Sequence, residues 1–242
     1  MIVGCPVRQI DGRTLKEWLR ILRRECATSH SVKSAVVPSG QVFLLSPARA
    51  GGPRYSMLVR DQAQFELAVK LRQGAATFGE VYSFISGLYF RGKMAYSEAF
   101  RAAPSEIPAA LVIVPGAGLV PPETPVTVDQ LDQISRIPVD EDNPVYTDAL
   151  LRSAKLLDEY AGPACLHVLL GSIASGKYTR PLLEVFGERL VFPADFVGRG
   201  DMSRGGLMLR CARSGTELSY VPVQGAVRHG ARPPRLEKWP KP

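Results

Sequence analysis

The sequence predicts an α/β protein with a mostly parallel sheet between two layers of helices. Three apolar runs of strand length occur at 109–115, 165–171 and 189–193, and segments with helical periodicity lie between them. Apolar strands that alternate with helices favour a parallel sheet covered on both faces. Such a core is Rossmann-like and would span about residues 75–205. Antiparallel β-hairpins are expected as additions at its N-terminal and C-terminal ends.

The N-terminal segment, residues 1–60, is predicted to be a helix and a small antiparallel β region packed on the core. Residues 13–26 place apolar side chains on one helical stripe. Residues 33–47 suggest a hairpin around Pro38–Gly40, because two apolar runs flank a Pro-Ser-Gly turn. The α/β core is assigned to 61–223.

Within the core, capping signals and proline positions mark the helices. Asp61 with Gln64, and Thr77 with Glu80, have the spacing of a capping box at a helix start. Further helices are predicted at 92–103, 127–135, 144–160 and 178–187. Residues 206–223 suggest a second hairpin around 213–216, where Arg-Ser-Gly-Thr separates two apolar runs.

The tail, residues 224–242, is basic and rich in proline, which forbids a regular helix or strand. The whole chain carries a net charge of +7, which favours anionic partners such as nucleotides or nucleic acid. No apolar run approaches the roughly 18 residues of a membrane span, and the first residues lack the pattern of a signal peptide. We therefore expect a cytoplasmic protein with no membrane partner.

The loop after the second apolar run has the spacing of a phosphate-binding loop. In parallel α/β sheets, ligands bind beyond the carboxyl ends of the strands, and small residues let backbone amides approach an anion. The run Gly-x-x-x-x-Gly-Lys is followed by tyrosine instead of the Ser or Thr that binds magnesium. The candidate anion-binding residues here are Gly171, Ser172, Ser175, Gly176, Lys177 and Tyr178.

The loop after the third run, residues 193–206, combines both charge signs among glycines. Arg199, Ser203 and Arg204 are candidates to bind the anion, since arginines fork onto phosphate oxygens. Asp201 is the first candidate for a catalytic acid or base, or for a metal contact. Asp195, and Glu123 in the stiff loop 115–125 after the first run, are further catalytic candidates.

A fourth segment interleaves aromatic and basic residues, a pattern that suits base stacking and phosphate contact. Its candidate nucleic-acid contacts are Arg91, Lys93 and Tyr96. The alternative interpretation is a helix connection whose aromatic residues belong to the core.

These patterns favour an enzyme, a hydrolase or transferase that acts on a nucleotide, nucleic acid or related phosphorylated compound. One alternative is a non-catalytic nucleic-acid-binding module. Another is an atypical P-loop NTPase or kinase. No cofactor is specified; magnesium is the metal that phosphate chemistry would use. The sequence names neither a substrate nor a reaction.

Overall fold

The computed structural model describes residues 40–104 and 107–236, which form an α/β fold with a six-stranded mixed sheet and eight α-helices. The strands are β1 Gln41–Leu45, β2 Ala110–Val114, β3 Gly118–Val120, β4 Leu166–Leu170, β5 Leu190–Pro193 and β6 Tyr220–Pro222. The helices are α1 Pro53–Leu58, α2 Glu66–Arg72, α3 Phe78–Ser86, α4 Leu88–Ala99, α5 Val128–Ser135, α6 Pro144–Ala161, α7 Gly176–Phe186 and α8 Asp201–Ser214.

The sheet has the strand order β3-β2-β1-β4-β5-β6. Strands β2, β1, β4 and β5 are parallel, whereas β3 and β6 pair antiparallel at the two edges. The chain goes from β1 to β2 on one side, and later enters β4 on the other side of β1. The carboxyl ends of β1 and β4 are therefore the point at which the winding direction reverses, where doubly wound sheets open a crevice.

Helices cover both faces of the sheet. Phe43 of β1 pairs in register with Val168 of β4, so their side chains share a face. Phe43 meets the ring of Tyr96 in α4 edge-on, with the centroids 5.7 Å apart. His167 points to the other face, because it precedes Val168, and it stacks on Phe186 of α7 at 3.7 Å. Helices α4 and α7 thus lie on opposite faces.

Helices α4 and α8 cross at two glycines. A Cβ on Gly92 would come to 2.7 Å from the carbonyl oxygen of Gly205, and one on Gly205 would come to 2.7 Å from Tyr89 Cα. Only hydrogen at these positions allows the two backbones to approach so closely. The crossing holds α4 and α8 in fixed register next to the carboxyl ends of the strands.

Both predicted hairpins differ from the structure. The one over 206–223 is wrong, because residues up to Ser214 continue α8, and only Tyr220–Pro222 forms a strand, which pairs with β5. Gly206 lies inside α8, and Gly215 ends that helix with a φ of 67°. At the other end, Gln41–Leu45 is a central strand between two parallel neighbours. The rest of that hairpin and the helix over 13–26 lie outside the described residues.

The tail is irregular over its described part and packs beside the loop that precedes α8. A Cβ on Gly198 would collide with the carbonyl oxygen of Ala231, and Arg199 donates to the carbonyl oxygen of Pro234 at 3.4 Å. The domain boundaries at 60/61 and 223/224 stay predictions, although β1 belongs to the core sheet. Within residues 40–104 and 107–236, no helix has the length and apolar character needed to cross a bilayer.

Candidate functional site

A cleft of about 340 Å³ lies where the winding of the sheet reverses. Its walls come from the segments that follow β1 and β4, from the α3–α4 junction and from the start of α8. The side chains that carry chemistry there are Ser46, Arg49, Ser86, Tyr89, Ser172, Lys177, Tyr178 and Asp201. The structure therefore brings together the predicted loop at 171–178 and the predicted catalytic Asp201.

The loop at 171–178 has the strand–loop–helix arrangement that its spacing predicted. Strand β4 ends at Leu170, and α7 begins at Gly176. Ser175 occupies the N-cap position, but its side chain caps no backbone N–H. The amides of the first turn of α7 therefore lack a side-chain cap, and they add a positive partial charge next to Lys177.

Two tyrosines fix the loop in place. Tyr146 of α6 donates its hydroxyl to the carbonyl oxygen of Lys177 at 2.9 Å. Tyr178 is buried, which raises the pKa of its phenol far above the usual range, and Lys177 Nζ lies 5.1 Å from its ring centroid. Tyr178 stands where a P-loop has the Ser or Thr that binds magnesium. Its buried ring forms a wall of the cleft instead.

An acidic side chain lies against the same helix start. The carboxylate of Glu141 occupies the space that a side chain at Gly176 would take. Thr179, which lies one residue beyond the position of the P-loop Ser or Thr, supplies no free hydroxyl, because it is buried and donates to the carbonyl oxygen of Ser175 at 3.3 Å. The helix start therefore faces a carboxylate of the chain itself, which the sequence did not predict.

Asp201 opens α8 at the edge of the cleft. Its carboxylate lies 3.7 Å from the guanidinium of Arg204, one turn further along the helix. Arg204 is almost fully buried, and it donates to the carbonyl oxygen of Phe196 from Nε at 3.2 Å and from Nη2 at 3.0 Å. Arg204 therefore orients Asp201 and the turn before α8, whereas the prediction had it bind the ligand's anion.

The other predicted residues of the third loop lie outside the cleft. Arg199 donates to the carbonyl oxygen of Asp195 at 3.0 Å and to the hydroxyl of Ser203 at 3.3 Å. Arg199 and Ser203 line a separate depression together with tail residues that include Arg232 and Arg235. Asp195, Arg199 and Ser203 thus hold the loop and the tail together.

Glu123 is also away from the cleft. Strand β3 runs antiparallel to β2, with Gly118 opposite Val114 and Val120 opposite Val112. The residues after Val120 therefore return toward the amino ends of the parallel strands. Glu123 lies in that returning segment and is exposed. The fold therefore does not bring the predicted catalytic Glu123 together with Lys177 and Asp201.

Two of the three predicted nucleic-acid contacts are wrong. Tyr96 is fully buried, and Lys93 is only 1% exposed, so neither side chain can reach a nucleic acid. Arg91, on the same helix, is exposed. The interpretation of 86–96 as core helix residues is the one that the structure favours for Lys93 and Tyr96.

Lys93 lies directly beneath the cleft. Its Nζ is 2.8 Å from the carbonyl oxygen and 2.7 Å from the hydroxyl oxygen of Ser46, the first residue after β1. It also lies 4.0 Å from the ring centroid of Tyr89 and 5.4 Å from that of Phe90. Burial lowers the pKa of Lys93 to about 7, against a smaller raising effect from Asp201.

Tyr89 brings a hydroxyl to the cleft. The side chain is 7% exposed, and interactions of its hydroxyl with Arg204 and Ser46 act against the effect of burial on its pKa. Burial raises the pKa of this phenol to about 12, so at neutral pH the group stays a donor.

Sequence reasoning missed Ser46 and Arg49, and it considered the segment with Ser86 and Tyr89 only for base stacking and phosphate contact. The available signal was the polar run Ser-Pro-Ala-Arg directly after the apolar run 42–45. Had that run been assigned as a parallel strand, residues 46–49 would have been placed at the carboxyl edge with the other loops.

No known protein family, no curated protein and no solved structure matches this chain. The chemistry of the cleft is therefore the basis for any statement about function.

Within the described parts of the chain, no group of three or more His, Cys, Asp or Glu side chains could hold a metal ion. The cleft offers two cations, an uncapped helix start, hydroxyl donors and one carboxylate.

Proposed function

We propose that the protein is an enzyme, a hydrolase or transferase, that acts on a nucleotide or related phosphorylated compound. The observation that carries this proposal is the meeting of Lys177, the amino end of α7 and Asp201 in one cleft where the sheet reverses its winding. Ligands of doubly wound sheets bind at this point. In the same proposal the core is Rossmann-like and the protein is cytoplasmic.

The cleft chemistry supports a phosphate ligand. Lys177 and Arg49 supply two positive charges, and Tyr89 supplies a hydroxyl donor. The first-turn amides of α7 are donors of the kind that bind anions at helix starts, but the carboxylate of Glu141 beside Gly176 competes for them, so the two cations are the main support. A volume of about 340 Å³ lies within the range of small-molecule sites.

Asp201 is the proposed acid/base group. Its side chain is 68% exposed, so that it is reachable from the cleft, and Arg204 holds it from the buried side. A carboxylate in this position takes a proton from water or from a substrate hydroxyl. Magnesium, where the reaction uses it, would be held by substrate phosphates together with Asp201, since Mg²⁺ prefers oxygen ligands.

Two alternatives have weaker support from the structure. A P-loop NTPase needs a free hydroxyl after the lysine and an uncontested helix start, whereas Tyr178 and Glu141 occupy these places. A nucleic-acid module needs exposed basic side chains, which Arg91 and the described tail arginines offer, but Lys93 and Tyr96 do not.

Thermal unfolding with added ligands tests the proposal. We would compare wild type with Lys177→Ala in pyrophosphate, nucleoside monophosphates, ATP with magnesium, and short DNA and RNA. A ligand at about 100 times its dissociation constant stabilises the fold by roughly 2.7 kcal/mol. The control is Lys155→Ala, which removes an equal charge from α6, where Lys155 pairs with Glu184 at 3.7 Å.

A small phosphate should raise the melting temperature of wild type and of Lys155→Ala, and this rise should be lost in Lys177→Ala. A rise with nucleic acid alone that survives Lys177→Ala would refute the proposal and favour the binding module. Magnesium-dependent ATP binding that is lost in Lys177→Ala, without binding of the other phosphates, would favour the P-loop enzyme.

A further inference from the structure

Ser46 and Lys93 form a hydrogen-bonded pair at the floor of the cleft. Ser46 follows β1 and borders the cleft, and its hydroxyl oxygen accepts a hydrogen bond from Lys93 Nζ at 2.7 Å. The hydroxyl itself donates to the carbonyl oxygen of Leu170 at 3.4 Å, a long hydrogen bond that it has to give up when a neutral Lys93 takes its proton. The amine's other hydrogen bond goes to the carbonyl oxygen of the same serine. A buried lysine in a purely structural role usually pairs with a carboxylate, whereas this one contacts a hydroxyl that borders a cleft.

The surroundings of Lys93 favour an amine that can accept a proton. Burial is the largest influence and disfavours the ammonium form, while Asp201 favours that form and Arg204 opposes it. The rings of Tyr89 and Phe90 offer the ammonium only a cation–π contact. With a pKa of about 7, Lys93 is neutral in a large fraction of molecules at physiological pH.

We propose that Ser46 is a nucleophile and Lys93 its general base, in phosphoryl transfer from a phosphoanhydride such as a nucleoside diphosphate or triphosphate. The substrate class rests on the proposed function. The pairing itself rests on the hydrogen bond and on the position of Ser46 at the cleft. A nucleophile activated by an adjacent base is the usual arrangement for a serine that attacks phosphorus or a carbonyl carbon.

The reaction has two steps. In the first, Ser46 Oγ bonds to phosphorus, its proton moves to Lys93 Nζ, and the bond to the leaving phosphate breaks. That phosphate departs as an anion, which needs no proton, next to Lys177 and Arg49. In the second step water attacks the phosphoserine, and Asp201 takes a proton from the water and afterwards releases it to solvent. Ser46 Oγ leaves phosphorus and recovers its proton from Lys93, and the net change is hydrolysis of the anhydride.

Labelling with a fluorophosphonate probe tests the pair without any known substrate, because such probes phosphonylate activated serines. Intact mass and peptide mapping should show one adduct, on Ser46, in the folded wild type. The adduct should be absent in Ser46→Ala and should form at least about tenfold more slowly in Lys93→Met. The control is Ser97→Ala, which removes a different buried serine, on α4, that donates a hydrogen bond to the carbonyl oxygen of Met94. Ser46 in this variant should be labelled at the wild-type rate.

The pH profile keeps the test decisive if Lys93→Met fails to fold. The labelling rate of wild type should rise with pH, with its midpoint near 7, because only the neutral amine accepts the Ser46 proton. The charged and titratable groups that face Lys93 are Tyr89 on its own helix and Asp201 and Arg204 on α8. A flat profile, no adduct on Ser46, or a folded Lys93→Met protein that labels at the wild-type rate would each overturn the pair.

Pyrophosphate separates this inference from the proposed function. It should slow the labelling of Ser46, and its thermal shift should survive in Ser46→Ala but not in Lys177→Ala. Binding of pyrophosphate without labelling would overturn the pair and leave the proposed function standing. Labelling that pyrophosphate does not slow, with no thermal shift, would overturn the phosphoanhydride as substrate.

Discussion

Gly92 of α4 and Gly205 of α8 lie backbone against backbone, so that a Cβ on Gly92 would come to 2.7 Å from the Gly205 carbonyl oxygen. Tyr89 and Lys93 lie on one of these helices, and Asp201 lies one turn before Gly205 on the other. The crossing therefore sets the distance between two walls of the cleft.

Replacing Gly205 by alanine should destabilise the fold. The new methyl group meets backbone atoms of Leu88 and Tyr89 at 2.7 to 2.8 Å, so the helices have to separate. We expect a loss of about 1–3 kcal/mol in the free energy of unfolding, measured by urea denaturation.

The matched control is Gly206→Ala, one residue along α8. Its methyl group would meet only the flexible end of Leu236, at 3.4 Å. Alanine favours a helix over glycine by up to about 1 kcal/mol, so this variant should be neutral or more stable than wild type. Equal stability of the two variants would show that the crossing is not as tight as described.

Neutralising Glu141 should strengthen anion binding at the start of α7. Its carboxylate lies against Gly176, where it competes with a bound phosphate for the positive end of the helix. We expect Glu141→Gln to lower the dissociation constant of pyrophosphate by roughly fivefold at low salt, since such an interaction amounts to about 1 kcal/mol. Titration calorimetry measures this constant.

The control for Glu141 is Glu159→Gln, which removes the same charge at the distant, exposed end of α6. It should change the affinity little, and added salt should shrink the difference between the two variants. Weaker binding in Glu141→Gln would mean that the carboxylate helps to build the site rather than competing for it.

His167 should make the fold sensitive to acid. It is fully buried, and burial, helped by Arg189, lowers its pKa from 6.5 to about 4. Between these two values the unfolded chain binds more protons than the folded chain, so stability rises with pH across that window. The loss on acidification from pH 7 to 4 should reach about 3 kcal/mol at most.

The variant His167→Leu keeps an apolar contact with Phe186 and removes the titration. Its free energy of unfolding should fall less steeply than that of wild type between pH 6.5 and 4. The control His229→Leu alters an exposed residue of the tail and should retain the wild-type slope. Identical slopes in wild type and His167→Leu would assign the acid sensitivity to other groups.

Strong local patterns predicted much of the second half of the chain. The predicted capping box of Thr77 and Glu80 starts α3 in the first half of the chain, and a box that was not predicted starts α5. The predicted box of Asp61 and Gln64 is wrong, because α2 begins only at Glu66. The arrangement of β4, a small-residue loop and α7 followed from one apolar run and the Gly-Lys spacing. Lys177 and Asp201 share a cleft because both follow the carboxyl ends of parallel strands.

The errors concern features that depend on distant partners. Glycine in a turn and glycine at a helix crossing look the same in sequence, so Gly205 was placed in a loop. Lys93 was predicted to be a surface residue. Its neighbours in sequence do not indicate that its amine donates hydrogen bonds to Ser46, 47 residues earlier in the chain. Strand β1 was assigned to a hairpin, since its two parallel partners come much later in the chain.

The central position of β1 also dictates the order in which the protein can fold during synthesis. Leu44 pairs with Leu111 on one side and with Leu169 on the other. Strand β1 can therefore pair only after β2 and β4 have been synthesised. Contacts between residues so far apart in sequence slow folding. The cleft needs Asp201 as well, so its walls are complete only after β1, β4 and the start of α8 have all been synthesised.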